Sequence, residues 1–201
     1  MLVMGITGPS GAGKGEISGI LRERYGFAVI DADKVYHDLV SFPSPCLEEI
    51  KAEFGDSVIN SDGSLDRRAL AKMVLGKENA QRLSALNGIT HKYVVCEIKK
   101  LIADYKVKDC DCVIDAPLLF EAHLDDECDF TVCVLADRKL RAERISLRDK
   151  ISIEDALLRI SSQNKDEYYS SKSDYIIHND GSTDQLEADL TRILSDRRVI
   201  F

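Results

Sequence analysis

Short, almost wholly apolar runs alternate along this chain with longer stretches whose apolar residues recur at helical spacing. The first run, residues 2–7, stops at a glycine-rich turn, after which Ile17, Ile20 and Leu21 keep helical spacing. The opening therefore reads strand, glycine loop, helix. Gly26 ends that helix, and Phe27-Ala28-Val29-Ile30 makes a second strand that finishes at Asp31-Ala32-Asp33. Further apolar strands are predicted at 112–114, 130–135 and 175–177. Strands this apolar are covered on both faces, as in a parallel sheet held between helices.

The long stretch 34–108 separates the second and third strands and is mostly helical. Ser44-Pro45 opens a helix carrying Leu47, Ile50 and Phe54, which Gly55 closes. Ser61-Asp62-Gly63 is a turn, and Tyr93, Val94, Ile98, Leu101, Ile102 and Tyr105 form an amphipathic stripe. The stretch is too long for a plain crossover and reads as an inserted lobe. A second helical insertion, about 137–163, contains a capping box at Ser152 and Asp155. Ser182 and Gln185 cap a last helix carrying Leu186, Leu190, Ile193 and Leu194. The expected organisation is one domain, with a core at about 1–33, 109–136 and 164–201, a lobe at 34–108 and a lid at 137–163.

Charge narrows the partners. The 201 residues carry a net charge of −8, the wrong sign for coating nucleic acid or an anionic membrane surface. Six basic and two acidic residues fall between Arg138 and Lys150, so positive charge is concentrated in the lid. The six cysteines (Cys46, Cys96, Cys110, Cys112, Cys128 and Cys133) have no metal-ligand spacing and read as reduced thiols. No apolar run reaches the roughly 20 residues of a membrane helix, and residues 2–6 are too short for a targeting segment. A cytoplasmic protein is expected.

The sharpest chemical signal is Gly8-Pro9-Ser10-Gly11-Ala12-Gly13-Lys14. This G-x4-G-K, after a strand and opening a helix, is a P-loop: backbone N–H groups and the helix N-terminus converge on phosphate, and the lysine reaches the transferred group. The motif asks next for Ser or Thr as a Mg²⁺ ligand, but Gly15 stands there, followed by Glu16. Glycine offers the metal no side chain, and Glu16 puts an anion beside the phosphate loop. A water can fill the missing hydroxyl's place, because Mg²⁺ keeps several waters.

Other candidates lie at strand ends and in the lid. Asp31 and Asp33 end the second strand, where one carboxylate could take a proton from an attacking hydroxyl and either could cap the helix that follows. Asp115 ends the third strand, a place suited to holding a metal directly or through water. Arg141, Arg144 and Arg148 fall within about 60° of one helix face and read as a phosphate clamp on a closing lid. His37, His91, His123 and His178 show no metal or triad spacing, which leaves them hydrogen-bonding roles. The acid-rich stretch 121–129 reads as a solvated loop.

The order of these motifs resembles the dephospho-coenzyme A kinase family. The strand and P-loop run from Gly5-Ile6-Thr7-Gly8 through Lys14; D-A-D is Asp31-Ala32-Asp33; and L-D-R-x-x-L is Leu65-Asp66-Arg67 with Leu70. L-x-x-I-T-H is Leu86, Ile89, Thr90 and His91, with Lys92 in place of the usual proline. D-x-P-L-L-F-E is Asp115, Pro117, Leu118, Leu119, Phe120 and Glu121. The lid resembles Arg144 through Arg148-Asp149, then Arg159-Ile160 and Gln163. The end resembles A-D-Y-x-I-x-N-x-G, with Ser173 for the alanine, then Asp174-Tyr175, Ile177, Asn179 and Gly181.

This resemblance implies a P-loop kinase-like three-layer α/β fold, in which a parallel sheet flanked by helices carries an inserted helical substrate lobe and a helical lid. It implies ATP-dependent phosphorylation of the ribose 3′-hydroxyl of dephospho-coenzyme A, with Mg²⁺ accompanying ATP. Asp33 would be the general base, and Lys14, Arg144 and Arg148 would act on the transferring group. Gly8, Gly11, Ala12, Gly13, Lys14, Gly15, Glu16 and Asn179 would bind ATP. Asp33, His91, Leu118 and Glu121 would meet the second substrate, and Asp115 the metal. Two alternatives stand beside it: a binding protein of the same fold that has lost productive ATP–Mg²⁺ handling, and another nucleoside monophosphate or small-molecule kinase.

Overall fold

Val3, Met4 and Ile6 leave the first strand no polar face, so it can be stable only where both faces are covered. In chain order the computed structural model runs β1 (Val3–Thr7), α1 (Lys14–Tyr25), β2 (Ala28–Asp31), α2 (Ala32–Ser41), α3 (Pro45–Phe54), α4 (Arg67–Val74) and α5 (Ala80–Val107). It continues with β3 (Cys112–Asp115), β4 (Phe130–Leu135), α6 (Arg138–Asp149), α7 (Ile153–Ser161), α8 (Asp166–Ser170), β5 (Tyr175–His178) and α9 (Thr183–Asp196). The structure describes residues 1–41 and 43–197; the last four residues of the core segment read as 164–201 lie outside the described residues. The chain divides into two units, Met1–Ile30 with Ile102–Phe201, and Asp31–Leu101.

The first unit is built on the sheet. Its strand order is β2-β3-β1-β4-β5, and β1 pairs in parallel with both β3 and β4, as β4 does with β5. All of β1 and β4 is buried, as their unbroken apolar runs require. Ile17 and Leu21 of α1 and Leu186, Leu190, Ile193 and Leu194 of α9 pack with Met4, Ile6 and Val132 into one apolar core. Parallel strands all end at one edge, and β1 lies between β3 and β4, the arrangement that opens a crevice beyond the strand ends.

Several sequence signals have the expected local geometry. Gly26 closes α1 in a left-handed conformation, with its N–H donating to the Leu21 carbonyl. Ser44 accepts from the Leu47 N–H with Pro45 in the first turn of α3, and Ser152 accepts from the Asp155 N–H while its hydroxyl donates to the Asp155 carboxylate. Ser182 caps α9 at Gln185. The acid-rich stretch 121–129 is a correction: it folds into a short 3-10 turn over buried Leu124. Asp129 also accepts from the backbone N–H of Val3 at 2.7 Å. The Asp129 carboxylate thus holds the start of β1 and does more than face water.

The second unit has its own core, in which Val40, Leu47, Ile50, Val58, Leu70 and Leu86 are buried together. Asp66 caps α4 by accepting from the N–H groups of Arg68 and Ala69.

All six cysteines are free thiols. Burial pushes the Cys46 thiol up to about 11 and those of Cys112 and Cys133 to about 12, and it raises Cys128 as well. Since the thiolate is the nucleophile, alkylation of the native protein at pH 8 is expected to modify exposed Cys96 first and to spare these four until unfolding. Peptide mapping of the labelled sites checks this; early labelling of Cys112 or Cys133 would contradict it.

Candidate active site

The P-loop joins β1 to α1, and its shape depends on glycine at two places above all. Gly8 has φ +134°, and a Cβ there would sit 2.2 Å from the Val134 carbonyl oxygen of β4. Gly13 has φ +98°, and a Cβ there would sit 2.0 Å from Asn179 Nδ2. Only glycine adopts such backbone at little cost while allowing that approach. Lys14 folds back along the loop, its ammonium donating to the carbonyls of Gly8 at 2.7 Å and Pro9 at 3.4 Å.

Asn179, just beyond β5, is buried and fastens the loop from behind. Its Nδ2 donates to the Ala12 carbonyl at 3.0 Å and to Glu16 Oε2 at 3.3 Å, while its own N–H donates to the Leu135 carbonyl. Glu16 also accepts from the Thr183 hydroxyl at 3.1 Å. Its carboxylate is thus bound to Asn179, just beyond β5, and to Thr183, the first residue of α9, which the position of Glu16 in the sequence does not reveal. At Gly15 an added Cβ meets nothing within 4 Å.

Asp115 is the β3 residue in register with Ile6 of β1, which places its carboxylate beside the start of the P-loop. The buried Ser18 hydroxyl of α1 donates to Asp115 Oδ2 at 2.9 Å. The P-loop motif does not extend to Ser18, and its spacing of three residues from Gly15 is the one signal for it in the sequence.

Helix α6 separates the three lid arginines. Arg141 is only 3% exposed. It donates to the Ser10 carbonyl at 3.0 Å, Asp166 at 3.0 Å and Gln163 at 3.3 Å, so it braces the loop from a buried position. Arg144 donates to the carbonyls of Gly11 at 3.3 Å and Asn179 at 3.1 Å. Arg148 reaches the Ser10 hydroxyl at 3.5 Å and holds Asp149 through two nitrogens, at 2.7 and 3.0 Å. Arg159 shares that carboxylate. The hydrogen bond from Arg148, reinforced by Arg159, holds Asp149 down at about 2. Part of the lid's positive charge is therefore neutralised within the lid. Gln163 accepts from the Ser10 N–H at 3.1 Å, a further tie between lid and loop.

The segment after β3 carries Leu118, 48% exposed, and buried Leu119. Glu121 accepts from Asn164 at 2.8 Å through one oxygen, and its other oxygen is buried with no hydrogen-bond partner among the described residues.

In the second unit, Asp31 accepts from the Lys34 N–H at 3.0 Å and so caps α2. Asp33 stands exposed in the first turn of that helix, and the cap does not need it. His91 is half-buried on α5, next to Thr90, whose hydroxyl donates to the Leu86 carbonyl at 2.9 Å. This unit also holds a cavity of about 190 Å³ lined by Leu65, Leu70, Val74 and Leu86, with Tyr36 and Arg67 as its polar members.

A glycine-shaped phosphate loop, an acid on the neighbouring strand and lid arginines against the loop describe a P-loop phosphotransferase. Related proteins narrow the class. The dephospho-CoA kinase (CoaE) family model matches residues 2–185. The dephospho-CoA kinase CAB5 of Saccharomyces cerevisiae is 38% identical over 187 residues, covering 90% of this chain and 77% of its own length. The dephospho-CoA kinase of Fusobacterium nucleatum is 38% identical over 188 residues, covering 92% and 93% respectively. Among solved structures, TT1252 from Thermus thermophilus is similar over 97% of both chains, with a TM-score of 0.77 and 30% identity. With the family model spanning most of its length and the loop, strand acid and lid in place, the chain belongs to the dephospho-CoA kinase family.

Proposed function

We propose that this protein transfers the γ-phosphoryl group of ATP to the ribose 3′-hydroxyl of dephospho-coenzyme A, in the cytoplasm, as the last step of coenzyme A synthesis. The observation that carries this reading is the phosphate loop of residues 8–15, with Arg144 and Arg148 laid against it. Lys14 and the loop N–H groups hold the β- and γ-phosphates. The Asp33 carboxylate takes the hydroxyl proton as that oxygen bonds to the γ-phosphorus and the bond to the β–γ bridging oxygen breaks, releasing ADP. Lys14, Arg144 and Arg148 meet the charge that develops on the transferred group, where fixed cations act most strongly. Asn179 contributes by bracing the loop, since its amide nitrogen is already engaged with Ala12 and Glu16.

The residues present suit Mg²⁺ bound with ATP. Asp115 would hold it, directly or through water, and the open space at Gly15 leaves room for a water where a hydroxyl is usual. Bound there, the ion supplies charge neutralisation across the β- and γ-phosphates. His91, Leu118, Glu121 and the groove beside Tyr36 and Arg67 serve the second substrate, whose pantetheine arm suits an apolar groove with few polar groups.

The test is a Mg²⁺ titration of phosphoryl transfer from ATP to dephospho-coenzyme A, run beside Gly15→Ser. Turnover is expected in both, with the variant saturating at a lower Mg²⁺ concentration because serine fits the open site and adds a ligand. Binding of dephospho-coenzyme A without turnover at any Mg²⁺ level would make this a binding protein. Faster transfer to AMP, CMP or shikimate would make it another small-molecule kinase.

A further inference from the structure

The hydroxyl missing at Gly15 has a counterpart one helical turn along α1. Ser18 follows Gly15 by three residues, which leaves the two within about 60° of each other around the helix. Its hydroxyl donates to Asp115 Oδ2 at 2.9 Å and lies 3.2 Å from the Lys14 carbonyl. A buried helical serine can satisfy itself on the carbonyl four residues back, so the bond to Asp115 is more than Ser18 needs for burial. A carboxylate is the stronger acceptor. Alanine would also be the better helix former at this position. The hydroxyl is therefore explained by what it does to Asp115.

We propose that Ser18 is the positioning residue for the metal-bearing acid. By tying one oxygen of Asp115 to α1, it sets the direction in which that carboxylate meets the divalent cation of the bound nucleotide. The register of Asp115 with Ile6 puts this acid beside the strand that leads into the loop, so a rotation of the carboxylate would move it relative to the phosphates. Ser18 itself does not touch the cation. The proposal rests on the phosphotransferase reading of the loop and is independent of which acceptor the enzyme uses.

The experiment measures Mn²⁺ binding by electron paramagnetic resonance to the full-length protein carrying a non-hydrolysable ATP analogue, with no acceptor present. Ser18→Ala is expected to weaken Mn²⁺ about 10–100-fold, the usual cost of losing a partner of a metal ligand. Binding of the analogue in EDTA should stay within about twofold of the parent, a split that a packing defect would not give. Ser18→Thr, which keeps the hydroxyl, should keep the affinity. Asp115→Asn and the double variant Ser18→Ala/Asp115→Asn should bind Mn²⁺ equally, because the serine acts only through the acid. Mn²⁺ affinity of Ser18→Ala within twofold of the parent, or additive losses in the double variant, would overturn the proposal. Should Ser18→Ala fold poorly, Ser18→Cys keeps the volume with a weak donor and gives the same reading. With the acceptor absent, failure of dephospho-coenzyme A as substrate would leave this result standing.

Discussion

Asp33→Asn is expected to lower kcat by about 10²–10⁴-fold, the range for loss of a general base, with the KM for ATP little changed. The substitution is nearly isosteric and the side chain is exposed, so the fold should be spared. Asparagine loses a favourable anion at the start of α2, a matter of roughly 0.3–1 kcal/mol. The neighbouring acid supplies the control. Asp31 caps α2 through the Lys34 N–H, so Asp31→Ala should cost about 1 kcal/mol of stability and far less activity. Steady-state kinetics beside thermal melts separate the two. Retained kcat in Asp33→Asn with its loss in Asp31→Ala would reverse the assignment.

That contrast marks where sequence reading stopped. Two aspartates two residues apart at a strand end are equivalent by position; the hydrogen bond from the Lys34 N–H marks Asp31 as the cap. The strands and the phosphate loop were legible because each depends on local pattern: apolar runs without a polar face, and glycines at fixed spacing before a lysine. Caps at Ser44, Ser152 and Ser182 were legible for the same reason. Partners far apart in the chain were not. Helical spacing put Arg141, Arg144 and Arg148 on one face, but nothing local said that Arg141 would be buried against Ser10 and Asp166. Charge alone made Glu16 an intruder beside the phosphates; the structure binds it to Asn179 and Thr183, more than 160 positions away. At Asp129, composition cannot distinguish a carboxylate that only faces water from one that also accepts the Val3 N–H.

The same long-range contact at Asn179 makes Gly13→Ala a damaging substitution in the loop. Alanine must first adopt φ near +98°, which costs an L-residue roughly 1–2 kcal/mol. Its Cβ would then lie 2.0 Å from Asn179 Nδ2, and Asn179 has little freedom to retreat. That side chain is 3% exposed, its own N–H is bonded to Leu135, and its carbonyl accepts from Arg144. Overpacking of this kind adds about 1–3 kcal/mol. Together these imply a loss of about 3 kcal/mol and, for a chain of this size, a fall in Tm of roughly 10 °C. Phosphoryl transfer should slow on the order of 100-fold, since a displacement of about 1 Å suffices for that in a positioning site. The double variant Gly13→Ala/Asn179→Ala separates the causes. Removing the amide relieves the clash, so part of the Tm should return. The backbone strain stays and the brace on Ala12 is gone, so the rate of transfer should not recover. A double variant no more stable than Gly13→Ala would show that the clash is not the cause, and a Gly13→Ala protein melting with the parent would show that the loop yields where its hydrogen bonds say it cannot.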